Sequence, residues 1–318
     1  VDSGRKRPFT PEPVDEPTGT LPHVNLAGAL LRAAAAAPDR VAIAGPERLT
    51  YGELAGRASA VAARLASEIE PGDRVGLVAG NEAAFVVGYL ATLSAGGIVV
   101  PLNPAAPSQE LARELEIVQP ALVIASPGHA DLSRRTLAHL AAVPPSLVVD
   151  ATAPAADAPR PVVPVDRTPA DVAALLFTAG TAGAPKAAML THGSLLANLE
   201  QIQQHPGLRL RDDDVALAVL PFFHVFGLNV VLDLALFAGA GVTLVDHFHP
   251  AETLARVARD GVTVVAAVPA VYAAWLALDD ASVPPDAFAR VRLCVSGATE
   301  LASDVAVQMH ERFGVHVH

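Results

Sequence analysis

From residue 175 to residue 192 the chain reads Leu-Leu-Phe-Thr-Ala-Gly-Thr-Ala-Gly-Ala-Pro-Lys-Ala-Ala-Met-Leu-Thr-His, and these residue types suit the binding of a polyphosphate. Gly180 and Gly183 let the backbone turn and approach a ligand without a Cβ in the way. Consecutive amides in such a loop can form an anion nest, Thr178 and Thr181 add hydroxyl donors, and Lys186 adds a point charge for phosphate oxygens. The nucleotidase loop G-x-x-x-x-G-K-[ST] is not present, because Lys186 follows Pro185 and precedes Ala187. An ordinary small-residue turn between two strands is the plain alternative.

Two further stretches carry candidate chemistry. Leu220-Pro-Phe-Phe-His-Val-Phe-Gly-Leu-Asn229 follows an apolar run at what would be the C-terminal edge of a sheet, where open α/β folds bind ligands. There His224 can donate to an anionic oxygen, while Phe223 and Phe226 wall an apolar channel, and a helix expected over Leu228 to Phe237 offers it an apolar lining with the small residues Ala266-Ala267. The competing reading is a histidine and two phenylalanines packed at a sheet edge. Val295-Ser-Gly-Ala-Thr-Glu-Leu301 leads from a strand into a helix, and its Ser, Thr and Glu also suit simple capping. The histidine pairs His247/His249 and His316/His318 lack the third and fourth ligands of a zinc site, so no metal ligand is assigned. The triplet Asp212-Asp213-Asp214 reads as a solvated turn.

Together these stretches resemble, in order and in type, the signatures of the adenylate-forming superfamily: acyl-CoA synthetases, peptide-synthetase adenylation domains and luciferases. Phe177-Thr-Ala-Gly-Thr-Ala-Gly-Ala-Pro-Lys-Ala187 is similar to its loop, aromatic-T-S-G-T-T-G-x-P-K-G, with departures at Ala179, Ala182 and Ala187 that remove two hydroxyls. The stretch around His224 resembles P-x-x-H-x-x-G, and Val295–Leu301 resembles S-G-G/A-A-P-L with Glu300 in place of proline. The resemblance implies that Thr178, Gly180, Thr181, Gly183 and Lys186 hold ATP, and that Gly297, Ala298 and Thr299 border adenine and acyl group. It further implies catalytic roles for Lys186 and His224, and a substrate pocket of Phe223, His224, Phe226, Asn229, Ala267 and Gly297. No carboxylate precedes Asp233 here to pair with an α-amino group, so an uncharged acid, above all a fatty acid, fits better than an amino acid.

The implied reaction is attack of a carboxylate on the α-phosphate of Mg-ATP, then transfer of the acyl group to CoA. The partners are thus a small carboxylic acid, ATP, Mg2+ and CoA. The segment bearing the magnesium-binding glutamate would begin past His318, and the domain with the catalytic lysine further on. A truncated ligase, inactive or nearly so by itself, is the expectation. The alternatives are a non-catalytic acyl- or nucleotide-binding module and a fatty acyl-AMP ligase that loads a carrier protein.

The elements that must position these residues follow from periodicity. Short β-branched runs alternate with helical patterns in two series, from Arg74 to Asp150 and from Val172 to Phe313. The fold class expected is α/β, two stacked subdomains with mostly parallel sheets covered by helices, like an acyl-CoA synthetase N-terminal domain and incomplete at its C-terminus. The first subdomain spans about 71–170 and the second about 21–70 plus 171–318, with a small β-barrel implied by the resemblance. Val1 to Thr20 is a Pro-rich polar arm, Leu26 to Ala37 one helix, and Thr50 with Glu53 a capping box. Of 318 residues, 52% are hydrophobic and 17% charged, which makes the chain globular. A net charge of −11 argues against nucleic acid as partner. One cysteine, Cys294, suits a reducing cytoplasm, and the Val225–Val245 window is too interrupted to span a membrane.

Overall fold

In the computed structural model, residues 24–151, 163–178 and 185–318 are described. Residues 1–23, 152–162 and 179–184 are not, so the expected N-terminal arm and Gly180, Thr181 and Gly183 lie outside the described residues.

The chain enters through α1 (Leu26–Leu30) and α2 (Arg32–Ala36), then β1 (Val41–Ala44), β2 (Leu49–Thr50) and α3 (Tyr51–Leu65). The single helix expected over 26–37 is broken at Leu31, whose φ/ψ of −92°/3° leaves the helical region. Thr50 and Glu53 form the expected reciprocal cap of α3. Next come β3 (Arg74–Val78), α4 (Ala83–Ser94), β4 (Ile98–Leu102), α5 (Ser108–Val118), β5 (Leu122–Ala125), α6 (Ala130–Leu137) and β6 (Ser146–Val148). A hairpin, β7 (Val172–Thr178) and β8 (Lys186–Thr191), leads into α7 (His192–Gln204) and β9 (Val215–Ala218). A π-helix (Phe226–Asp233), α8 (Leu234–Ala238), β10 (Gly241–Leu244), α9 (Pro250–Arg259), β11 (Val264–Ala267), α10 (Pro269–Leu276), β12 (Leu293–Ser296) and α11 (Ser303–Phe313) follow.

The strands form two six-stranded sheets, ordered β6-β5-β3-β4-β7-β8 and β12-β11-β9-β10-β1-β2. Only the β7–β8 and β1–β2 pairs, at one edge of each sheet, are antiparallel. The described residues contain no barrel. Because β7 pairs with β4, the first sheet reaches to residue 191, beyond the boundary expected near 170.

Three apolar clusters hold the layers. One lies between the sheets around α3 and α4, and all twelve residues of α4 are buried there. A helix apolar all round has no solvent face to offer, so it must sit inside. The others lie under α5 and α6 on the first sheet, and under α9, α10 and α11 on the second. The sheets are also pinned by polar groups. Asn81, buried between β3 and α4, donates from Nδ2 to the carbonyls of Ala218 (3.0 Å) and Leu220 (2.8 Å) and accepts from the Phe222 amide at 3.1 Å.

The acidic triplet departs from expectation. Asp212 pairs with Arg40 at the surface, but Asp214 is buried and receives the Arg292 guanidinium, the Arg211 amide (2.7 Å) and the Thr263 hydroxyl (2.7 Å). Its partners sit up to 78 residues away, which a local reading as a solvated turn misses.

Candidate active site

His224, Phe226, Ala267 and Gly297 lie at the C-terminal ends of the second sheet's parallel strands. β9 runs out at Ala218 into Pro221–Phe226, β11 ends at Ala267, and β12 ends at Ser296 before Gly297. Parallel strands direct their connecting loops to one edge, and a ligand there meets residues distant in sequence.

Phe226, Gly297 and Ala267 come together. The Gly297 amide donates to the Ala267 carbonyl at 3.2 Å. A Cβ placed on Gly297 would stand 2.7 Å from Cε1 of Phe226, so the ring occupies the space a side chain would take. Ala298 follows with φ +69°, a left-handed conformation that costs a non-glycine residue energy and recurs at functional sites. Gly227 is required for a different reason: a Cβ there would lie 2.3 Å from the Pro221 carbonyl oxygen.

His224 is exposed beside Phe223, their ring centroids 4.5 Å apart. Desolvation by the surrounding protein lowers its imidazole below the ordinary value, which favours the neutral ring, donor at one nitrogen and acceptor at the other. Thr299 is exposed at the turn after Ala298.

Asn229 is not a pocket residue in this arrangement. It is 1% exposed, accepts from Asn198 Nδ2 at 2.7 Å and donates to Asp233 Oδ2 at 3.1 Å. The helix expected over 228–237 is a π-helix in its first half, with the Leu234 amide bonded to the Asn229 carbonyl five residues back. Its outer wall, Val230, Val231 and Leu234, faces Ala216, Ala266 and Val295 across a cavity of about 60 Å3 whose lining carries no polar side chain. That is several times the ~10–15 Å3 one water needs, room for a short apolar tail.

On the first sheet, Thr178 and Lys186 close the β7–β8 ladder opposite each other, with Thr178 Oγ1 donating to the Lys186 carbonyl at 3.3 Å. Both are exposed at the mouth of the loop, and no hydrogen bond among the described residues joins them to the His224 group. The second run of the motif is less buried than its apolar residues suggest: Met189 is 71% exposed on the edge strand β8. A polar pocket of about 430 Å3 is lined by Glu47, Glu82, Asp246 and Glu252 together with Arg256, His247 and His249, an excess of carboxylates that does not favour a triphosphate. Among the described residues no group of three or more His, Cys, Asp or Glu could hold a metal ion. No helix among them is long and apolar enough to cross a membrane.

Sequence reasoning missed Asn81, Tyr89, Asn198 and Asp233, which brace the site from behind. Their only local signal is a polar residue inside or beside an apolar run.

A family model described as AMP-binding enzyme matches residues 30–318, and the chain belongs to that family, the adenylate-forming superfamily. It is 33% identical over 290 residues to a feruloyl-CoA synthase of an Amycolatopsis species, covering 89% of this chain and 56% of that protein. It is 30% identical over 276 residues to 4-coumarate–CoA ligase 5 of Oryza sativa subsp. japonica, covering 84% and 50%. The chain thus spans about half the length of these curated relatives. Among solved structures, ATP-bound MatB of Rhodopseudomonas palustris superposes with a TM-score of 0.79 at 31% identity over 92% of this chain and 59% of that one. A benzoate CoA ligase from Burkholderia xenovorans LB400 gives 0.81 at 25% identity, covering 92% and 60%.

Proposed function

We propose that the chain serves the ATP-dependent activation of a small carboxylic acid with an uncharged, apolar tail, as the nucleotide- and acid-binding part of a carboxylate–CoA ligase. The observation that carries this reading is the seating of Phe226 on Gly297 beside Ala267, with the polar-free cavity one helical turn away. The acid's tail enters the cavity and its carboxylate stays at the strand ends near His224. A neutral imidazole N–H can donate there to the anionic oxygen without a second charge to desolvate.

ATP supplies the phosphoryl electrophile. In the first step the acid's oxygen bonds to the α-phosphorus and the bond to pyrophosphate breaks, so negative charge builds on the leaving group. Lys186, Thr178 and the loop amides of 179–184 are the proposed counterweights, with Gly297, Ala298 and Thr299 along the adenine. CoA is the proposed acceptor. A reducing cytoplasm is the proposed setting, in keeping with the unpaired Cys294.

The aliphatic lining supports a fatty acid, whereas the names of the relatives favour an aromatic one. Calorimetry with ATP, with hexanoate and with benzoate tests both the reading and the choice. ATP binding together with binding of either acid supports the proposal, and the tighter acid decides its class. Acid binding with no ATP binding would instead favour a non-catalytic acyl-binding module.

A further inference from the structure

Behind the cavity wall lies a polar chain that the proposed chemistry does not use. Asp233, the last residue of the π-helix, is 0% exposed. Its Oδ2 accepts from the Tyr89 hydroxyl of α4 and from Asn229 Nδ2, each at 3.1 Å. Its Oδ1 is buried without a hydrogen-bond partner among the described residues. Tyr89 is the titratable group that faces it, and α7 contributes only the uncharged Asn198, through Asn229. The parts of α1, α8 and β9 buried in this region are Leu and Ala. The nearby cation Arg32 lies instead over the Phe237 ring at 4.7 Å. No ion pair reaches Asp233 among the described residues.

Neither protonation state satisfies this site. An ionised carboxylate keeps two hydrogen bonds but has no counter-charge in a dry environment, which is costly. A protonated carboxyl is cheap to bury but must house its own O–H. Burial pushes the Asp233 carboxyl up to about 7, so the balance falls where ordinary pH changes can tip it. The same turn carries the cavity wall, with Val230 and Val231 just before Asp233 and Leu234 just after. A π-turn can relax toward the α register, which rotates the residues before it relative to those after it.

We propose that Asp233 is a positioning residue for the acid pocket: protonated, it stays seated behind the π-helix beside Tyr89 and keeps the shape of the apolar cavity, and ionised, its uncompensated buried charge drives the turn to open toward water and releases that shape. The inference rests on the cavity being the acid's pocket. It makes acid binding, and not nucleotide binding, weaken as pH rises.

The test uses para-fluorobenzoate, followed by fluorine NMR on this chain with ATP present, while labelled Val and Leu methyl signals are read across pH. Affinity is expected to fall about tenfold per pH unit above a midpoint near 7, with the Val230 and Leu234 methyls shifting at the same midpoint. Asp233→Asn, which keeps an acceptor of the same shape but cannot ionise, should bind the acid equally on both sides of that midpoint. Tyr89→Phe removes a donor that favours the ionised form, so its midpoint should rise. An unchanged fall in Asp233→Asn, or an unmoved midpoint in Tyr89→Phe, overturns the proposal. Binding with flat methyl signals through pH 7 overturns it as well. Methyl signals that titrate while the probe binds at no pH would overturn the acid-pocket reading instead.

Discussion

Gly297 and Phe226 occupy one shared volume, since a Cβ on Gly297 would fall 2.7 Å from Cε1 and 2.9 Å from Cζ of the ring. The two residues lie on different strand–loop units, so this contact sets the distance between the His224 loop and the turn after β12. Gly297→Ala is expected to push the ring off its seat and cost about 1–3 kcal/mol, as overpacking does. Because the obstacle is the edge of a side chain and not backbone, Phe226→Leu in the same protein should recover part of the loss. A double-mutant cycle by urea unfolding checks this, and additive effects would show that the contact is not the cause.

Asn81 should matter more than its single side chain suggests. It satisfies two carbonyls and one amide of the segment that carries Phe223 and His224, in a buried place where water cannot substitute. Asn81→Ala is expected to cost about 2–4 kcal/mol, read as a lower urea midpoint with an unchanged slope.

The buried Asp214 gives stability an acid-sensitive component. Burial works against its charge, but the Arg292 guanidinium, the Arg211 amide and the Thr263 hydroxyl outweigh that and hold its carboxyl below the ordinary range. A depressed carboxyl contributes stability that is present above the unfolded value of about 4 and lost as pH falls through the folded value. Arg292→Ala leaves the charge buried with two donors and should cost about 3 kcal/mol near neutrality. It should also move the acid-induced loss to higher pH, measurable by thermal unfolding across pH.

Asp233 works in the opposite sense. Its folded carboxyl is raised to about 7, so the folded chain holds a proton the unfolded chain has lost, and stability falls between about pH 4 and 7. Asp233→Asn should flatten that decline in the same pH series.

Cys294 lies 1% exposed on β12, and burial pushes its thiol up to about 12. The native protein should therefore leave a thiol reagent unreacted at pH 8 and release one equivalent only on unfolding in urea. Rapid reaction of the native protein would contradict this packing.

Much of this was legible in the chain itself. Val172–Phe177 is an apolar run bounded by a linker and a small-residue loop, and it forms β7. Thr50 and Glu53 stand at capping-box spacing and cap α3. The motifs around His224 and Gly297 each follow a short apolar run that forms a parallel strand of the second sheet, which puts Phe226 and Gly297 at one sheet edge. What was not legible depends on partners far along the chain. The π-turn is braced by a Tyr89–Asp233 bond that spans 144 residues, and no local periodicity distinguishes it from an α-helix. Asp214 looks like part of a hydrophilic turn until Arg292 is placed on it. Asn229 sits within a pocket motif yet turns inward, because Asn198 and Asp233 offer its amide two partners.

The central claim is that the loop closed by Thr178 and Lys186 holds the phosphates of ATP. Isothermal titration of ATP into the wild-type chain and into Lys186→Ala tests it most directly, with circular dichroism to verify that both are folded. The wild type is expected to bind and the variant to lose about tenfold or more in affinity, since an exposed edge-strand lysine contributes little to the fold. Equal affinity in the two folded proteins, or no ATP binding by either, would contradict it.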